Sequence, residues 1–171
     1  MKKIVILGGE STGKSTLSSE LAEKFQGVYV GEFAREYLTQ LHRPYEEEDL
    51  IVIARGQLKL ELQAYNESKS LMFCDTDLHV IMVWSEHKYG RCHDVILKSI
   101  ATSKADAFIL TAADFPWEPD LLREHPEEKF RYFFFRWYLE LLIHQSKPFI
   151  IVDGKHETRL QKASLFIEGL I

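Results

Sequence analysis

The chain has 171 residues, 46% of them hydrophobic and 27% charged, with a formal net charge of −5. That length fits one domain, residues 1–171, able to bury roughly 70% of the surface its unfolded form would expose, and the composition excludes low-complexity disorder. The acidic balance argues against a general nucleic-acid binder, and no apolar run approaches the ~20 residues of a membrane span.

The first predicted element is a short buried strand over residues 3–7. Directly after it, Gly8-Gly9-Glu10-Ser11-Thr12-Gly13-Lys14-Ser15 fits G-x-x-x-x-G-K-[ST] in full, and Leu17, Leu21 and Phe25 then recur at helical spacing. Strand, glycine loop and helix in that order are the context the motif requires. The glycines let the backbone turn with its N–H groups facing inward, so Gly8 to Thr16 and the helix N-terminus form a cradle for phosphate oxygens. Lys14 is placed to reach the β and γ phosphates, and the Ser15 hydroxyl to complete a Mg²⁺ shell. A nucleoside triphosphate with Mg²⁺ is the ligand this predicts. With a strand at the N-terminus, no signal peptide is expected, and the protein reads as cytoplasmic.

Residues 27–31 form a second short strand, and Glu32-Phe33-Ala34-Arg35-Glu36-Tyr37 begins a helix at its carboxyl end, broken at Arg43-Pro44. A long helix is expected from Tyr45 to about Ser68. Its acidic opening, Glu46-Glu47-Glu48-Asp49, suits the positive end of the helix dipole and reads as a solvated helix start. Residues 71–74 are a buried strand, followed by Asp75-Thr76-Asp77 and a helix over about 78–87. The fourth and fifth strands cover 107–111 and 148–152. Between them lie a polar, proline-marked segment from Asp114 to Pro126 and a helix over about 127–145, and a last helix covers about 157–169. Cys74 and Cys92 are too far apart for a C-x-x-C motif and read as free thiols, Cys74 as a small core residue. Strands alternating with helices predict an α/β fold: a parallel five-stranded sheet with helices on both faces.

Ligands bind beyond the carboxyl ends of the strands in such a sheet, which turns the sequence into a set of candidates. Asp75 and Asp77 follow the third strand. One is expected to hold Mg²⁺, with Asp75 first choice, and the other to cap the next helix or touch the substrate. Glu32 and Arg35 stand at the end of strand two, where P-loop kinases receive the phosphate acceptor. Glu32 would take or fix the proton of an attacking hydroxyl and Arg35 would steady anionic charge, while their spacing of three equally suits a structural salt bridge. Trp117, Asp120, Arg123, Lys129 and Arg131 form a second polar cluster. Its cations would close as a lid, approximately 114–131, over the transferring phosphoryl group and exclude water, or would belong to a solvated loop and an ordinary amphipathic helix. Phe130, Phe134, Trp137 and Tyr138 fall at helical spacing and read as a core-facing stripe. The histidines show no zinc-binding spacing.

The wording G-G-E-S-T-G-K-S, the hexapeptide E-F-A-R-E-Y, D-T-D, and W-E-P-D-x-L-R with Arg131 beyond, all in one order, resemble the ribosylnicotinamide kinase domain of NadR-type proteins and the small AAA-like P-loop ATPases around it. The resemblance runs from Ile4 to the last helix. It implies a nucleoside-kinase-like P-loop fold and phosphorylation of the 5′-hydroxyl of nicotinamide riboside by ATP and Mg²⁺, giving nicotinamide mononucleotide for NAD salvage. By matching position, it implies phosphate and metal contacts for Lys14 and Ser15, a Walker B-like role for Asp75, and lid roles for Arg123 and Arg131. Glu32 and Arg35 would face the riboside. NadR-type proteins usually carry a nucleotidylyltransferase domain with an H-x-G-H-like motif before this one; here the sequence starts at the kinase strand, so adenylyl transfer is not expected. A kinase for another nucleoside or nucleotide, or an ATP-driven switch, are the alternatives.

Overall fold

Each of the five apolar runs forms a strand in the computed structural model, which describes residues 1–67, 69–120 and 122–171. In chain order the elements are β1 (Lys2–Leu7), α1 (Lys14–Lys24), β2 (Val28–Val30), α2 (Phe33–Gln40), α3 (Glu47–Tyr65), β3 (Leu71–Asp75), α4 (Leu78–Tyr89), α5 (Asp94–Ala101), β4 (Ala105–Thr111), α6 (Glu128–Ile143), β5 (Phe149–Val152) and α7 (His156–Glu168). The strands lie in the order β2-β3-β1-β4-β5, and every pair is parallel. The glycine loop therefore leaves the central strand. Ile6 pairs with Asp75 across the β1–β3 register, which brings the aspartate beside the root of the loop.

Side chains alternate across a strand, and β1 shows how that divides the core. Ile4 and Ile6 pack with Leu17 and Leu21 of α1 and Ala163 and Ile167 of α7 on one face. Val5 and Leu7 pack on the other with Leu50 and Ile53 of α3, Val80 and Val83 of α4, and Phe134 and Tyr138 of α6. Because both faces of the inner strands are covered, the runs 4–7, 71–74 and 107–110 are apolar without interruption, the signature of a buried parallel sheet. The parallel sheet with helices on both faces matches the fold expected from the sequence.

Several local expectations change. Helix α5 is an addition: its eight residues, D-V-I-L-K-S-I-A, bury Ile96, and the His93 side chain caps its N-terminus. The end of the long helix, placed at Ser68, lies outside the described residues; the helix itself is assigned through Tyr65. The acidic opening of α3 is only partly a solvated start. Asp49 is 4% exposed, makes a capping box with Glu46, and accepts hydrogen bonds from Arg43 (2.7 and 2.9 Å) and the Tyr37 hydroxyl (2.7 Å). Cys74 is fully buried, as a core thiol should be. Among the described residues no helix is long and apolar enough to cross a membrane.

Candidate active site

The glycine loop is shaped by contacts beneath it. Gly8 takes φ +152°, and a Cβ there would overlap the Thr111 hydroxyl at the end of β4. Thr111 Oγ1 donates to the Leu7 carbonyl (3.1 Å) and lies 2.7 Å from Thr12 Oγ1, which also bonds the Gly9 carbonyl (2.9 Å). Gly13 stands in the left-handed region, φ +76°, and N-caps α1 without any side-chain capping hydrogen bond. The first N–H groups of α1 thus lack a side-chain partner and carry the positive end of the helix dipole, which favours an anion. Lys14 Nζ donates to the Gly9 carbonyl (2.7 Å), folded back over the loop it would leave to meet phosphate.

Residues Gly8 to Thr16 form one wall of a cavity of about 570 Å³, a size that suits a small-molecule ligand. Glu32, the N-cap of α2, and Arg35 form another part of the wall, with Leu122 and Arg123 across from them. Burial raises the pKa of Glu32, Lys14 opposes that rise, and the negative charge of Asp75 adds to it. A carboxylate of raised pKa beside a lysine suits a proton acceptor for a substrate hydroxyl.

Asp75 is buried at the end of β3, with Oδ1 free of any hydrogen-bond partner and Oδ2 3.5 Å from the Tyr29 hydroxyl. Burial of that hydroxyl, and then the charge of Asp75, push Tyr29 up to about 12. Asp75 itself is not on the cavity wall, whereas the exposed Ser15 is; an orphaned carboxylate oxygen and a free hydroxyl are the donor types that fit Mg²⁺, which takes one or two protein oxygens and completes its shell with phosphate and water. Among the described residues no group of three or more His, Cys, Asp or Glu side chains is poised to hold an ion by itself.

The segment between β4 and α6 is tied to the glycine loop by side chains of the loop itself. Glu10 accepts the backbone N–H groups of Glu124 (2.9 Å) and His125 (3.1 Å). Ser11 Oγ donates to the Pro116 carbonyl (3.1 Å) and accepts from the Glu118 N–H (3.0 Å) and from Arg123 (3.4 Å). Arg123 is therefore at the cavity beside the loop.

Four further candidate residues lie off the cavity wall, Asp77 in the capping role that was one of its two expected places. Asp77 is 3% exposed and caps α4, accepting the His79 N–H (3.0 Å) and facing the His79 ring nitrogen (2.8 Å). Burial opposes its charge, but His79 outweighs that and lowers its pKa. It is spent inside the core, with no side on the acceptor. Asp120 accepts from Arg35 (3.1 Å) and from the Leu122 N–H (3.0 Å), off the cavity wall. The Arg35 salt bridge is thus to Asp120, from α2 to the segment between β4 and α6, while Arg35 still lines the cavity. The Trp117 indole is turned inward, its nitrogen buried and without a partner. Arg131 is buried, donating to the Phe115 carbonyl (2.6 Å), and so ties α6 to the segment after β4 without reaching the wall.

Sequence reasoning missed the far end of the cavity. There Val80, Trp84 and Lys88 of α4 stand at a spacing of four and face Pro44 and Tyr45. The Tyr45 and Trp84 rings are 6.4 Å apart, and Lys88 Nζ sits 3.4 Å over the Tyr45 ring. His87 and His125 add a T-shaped pair, 5.4 Å between centroids, on the same wall. The i, i+4, i+8 pattern on α4 was the available signal, but nothing local said which helix face the cavity would use. Phe134 and Tyr138 are core residues of α6, as their spacing predicts, and their inner faces close the cavity floor.

A model of the AAA domain family matches residues 3–159. The chain belongs to the AAA domain family. Among curated proteins it is 28% identical over 159 residues to the trifunctional NAD biosynthesis/regulator protein NadR of Escherichia coli (strain K12), covering 90% of this chain and 38% of that protein. The chain thus spans well under half the length of this relative. A crystal structure of NadR protein in complex with NR superposes with a TM-score of 0.80 at 22% identity, over 98% of this chain and 49% of that one. Deoxyadenosine kinase from M. mycoides with products dcmp and dcdp follows at a TM-score of 0.69 and 17% identity, over 98% and 99% of the two chains. This member of the AAA domain family therefore shares the P-loop fold of these structures and is similar to NadR-type proteins in sequence and architecture.

Proposed function

We propose that this protein is an ATP-dependent kinase that phosphorylates the 5′-hydroxyl of a nucleoside, with nicotinamide riboside as the leading acceptor and nicotinamide mononucleotide as product. The observation that carries this reading is a single cavity shared by the phosphate loop with Lys14 and the carboxylate of Glu32. The likeness to NadR-type proteins supports the pyridine riboside, and the whole of residues 1–171 acts as one domain with 114–131 as its lid.

In the reaction the acceptor oxygen attacks the γ-phosphorus, the bond from phosphorus to the β–γ bridging oxygen breaks, and the hydroxyl proton passes to Glu32. Lys14 leaves the Gly9 carbonyl for the β and γ phosphates, and the free N–H groups at the start of α1 hold phosphate oxygens. Arg123 supplies positive charge from the lid side. Mg²⁺, when bound by Ser15 and Asp75, would neutralise charge on the phosphates. The protein's part is positioning and electrostatics, since phosphoryl transfer asks little covalent chemistry of it.

A second reading, a neutral nucleoside in place of the cationic pyridine riboside, is favoured by Lys88. Its ammonium occupies the face of Tyr45, the aromatic surface on which a pyridinium ring would otherwise gain cation–π attraction. Incubation with ATP, Mg²⁺ and a panel of nucleosides, with ADP release and product mass both recorded, separates these readings. The expected result is nicotinamide mononucleotide, formed by the wild type and abolished in Lys14→Ala. ADP release indifferent to every nucleoside, with no phosphorylated product, would overturn the kinase assignment in favour of an ATP-driven switch.

A further inference from the structure

Arg159 of α7 is the largest fully buried side chain among the described residues, 1% exposed, and a buried guanidinium needs partners for its donors. It has them from three separate parts of the chain. Nη1 donates to the Thr12 carbonyl in the glycine loop (2.7 Å), Nε to the Gly154 carbonyl before α7 (2.9 Å), and Nη2 to the Ala112 carbonyl after β4 (3.3 Å) and to Asp114. Asp114 in turn accepts the Gly154 N–H (2.6 Å). One face of the guanidinium lies on the Phe115 ring, 3.8 Å from its centroid. The same ring abuts Gly13, where a Cβ would come within 2.9 Å of it.

A trans peptide is planar, so its C=O and N–H point to opposite sides. With the Thr12 carbonyl drawn down to Arg159, the Gly13 N–H of that same peptide is turned up toward the cavity. We propose that Arg159 is a positioning residue for phosphoryl transfer: it locks the Thr12–Gly13 peptide so that the Gly13 N–H faces the triphosphate, and it anchors the root of the lid through Asp114 and Phe115. The last helix is in this way part of the nucleotide site, although none of its residues touches the cavity. A lysine cannot replace it, because one ammonium cannot span the Thr12, Ala112 and Gly154 carbonyls or stack on Phe115.

The proposal rests on the triphosphate reading of the loop, so the test separates the two. ATP affinity is measured by calorimetry without acceptor for the wild type, Arg159→Lys and Arg159→Ala, and the Gly13 amide resonance is followed through each titration. The expected result is a dissociation constant raised about tenfold or more in both variants, the scale of one lost charge-assisted hydrogen bond. The Gly13 resonance should shift with ATP in the wild type only, and added guanidinium ion should restore ATP affinity to Arg159→Ala. A merely structural arginine would lower the melting temperature while leaving ATP affinity of the folded fraction within about twofold, and that result overturns the proposal. Should the alanine variant fail to fold, Asp114→Asn loosens the same guanidinium without emptying its site. It must weaken ATP binding in the same direction, and unchanged affinity there also overturns the proposal. Absence of ATP binding by the wild type would instead sink the triphosphate reading itself.

Discussion

Burial raises the pKa of Glu32, while Lys14 pulls it down and the negative charge of Asp75 adds to the rise. A carboxyl group raised in the folded state binds more protons there than in the unfolded chain. Its protonated form is therefore accommodated at low pH, and stability is lost as pH rises through the raised value. Glu32→Gln should unfold at higher urea concentration than the wild type at pH 8, with little difference at pH 4, and should lose about 10²–10⁴ in kcat. A glutamine variant less stable than the wild type at pH 8 would mean that the charge of Glu32 is needed by the fold rather than tolerated for chemistry. Asp75 presents a different case. Its free Oδ1 is costly to bury without a partner, and that cost is what a bound cation would remove.

Helices α2 and α3 meet at a point where the sequence preference of one residue conflicts with packing. Gly56 lies inside α3, where alanine would be favoured by about 1 kcal/mol on helix propensity alone. A Cβ there, however, would overlap the Phe33 ring at the start of α2. Phe33 is held by its N–H donation to Gln57 (2.9 Å) and by stacking on Tyr37, so it has little room to yield. Gly56→Ala should therefore destabilise by about 1–3 kcal/mol in denaturant unfolding and lower turnover by shifting neighbouring Glu32; a more stable variant would show that the ring moves freely. At the other end of the same helix pair, hydrogen bonds from Arg43 hold the pKa of Asp49 below the ordinary carboxylate range, with burial opposing and Tyr37 assisting. Such a group contributes stability above the unfolded pKa and loses it as pH falls. Asp49→Asn should cost about 1.5–3 kcal/mol at pH 7, with the difference from the wild type shrinking on acidification. A difference that grows toward acid would contradict the ion pair. Helix α5 went unread because its eight residues gave too short a period to separate from a loop.

Across the molecule, the phosphate loop is hydrogen-bonded to the segment between β4 and α6, with Glu10 and Ser11 reaching out from the loop to Pro116, Glu118, Glu124 and His125. In the proposed kinase, a segment tied to the loop in this way would act as a lid that excludes water until an acceptor is in place, which is what separates a kinase from a hydrolase. Glu10→Ala should raise acceptor-free ATP hydrolysis about tenfold relative to transfer, since the hydrogen bonds from the Glu124 and His125 N–H groups are both lost, while the melting temperature moves little. The check is the ratio of ADP released without acceptor to phosphorylated product formed with it; an unchanged ratio would leave Glu10 with no part in closure.

The sequence alone determined the strand–loop–helix of the phosphate cradle, the order of strands along the chain and the two-sided burial of the sheet. These depend on local spacing and on the alternation of apolar runs, which are written in neighbouring residues. It also pointed to Glu32 and Asp75 through the rule that ligands lie beyond strand ends. What only the tertiary structure decided depends on residues far apart in the chain. Asp75 and Asp77 are two residues apart with the same chemistry and both are buried, yet Asp75 keeps one oxygen unpartnered beside Tyr29 while Asp77 is taken up by His79. Arg35 finds Asp120, Trp117 and Arg131 turn away from the cavity, and Lys88 comes to rest on Tyr45. Arg159 lies 147 residues from Thr12, whose carbonyl it holds. No period or motif carries such information, because a guanidinium's partners are fixed by where the sheet order brings the loop ends together.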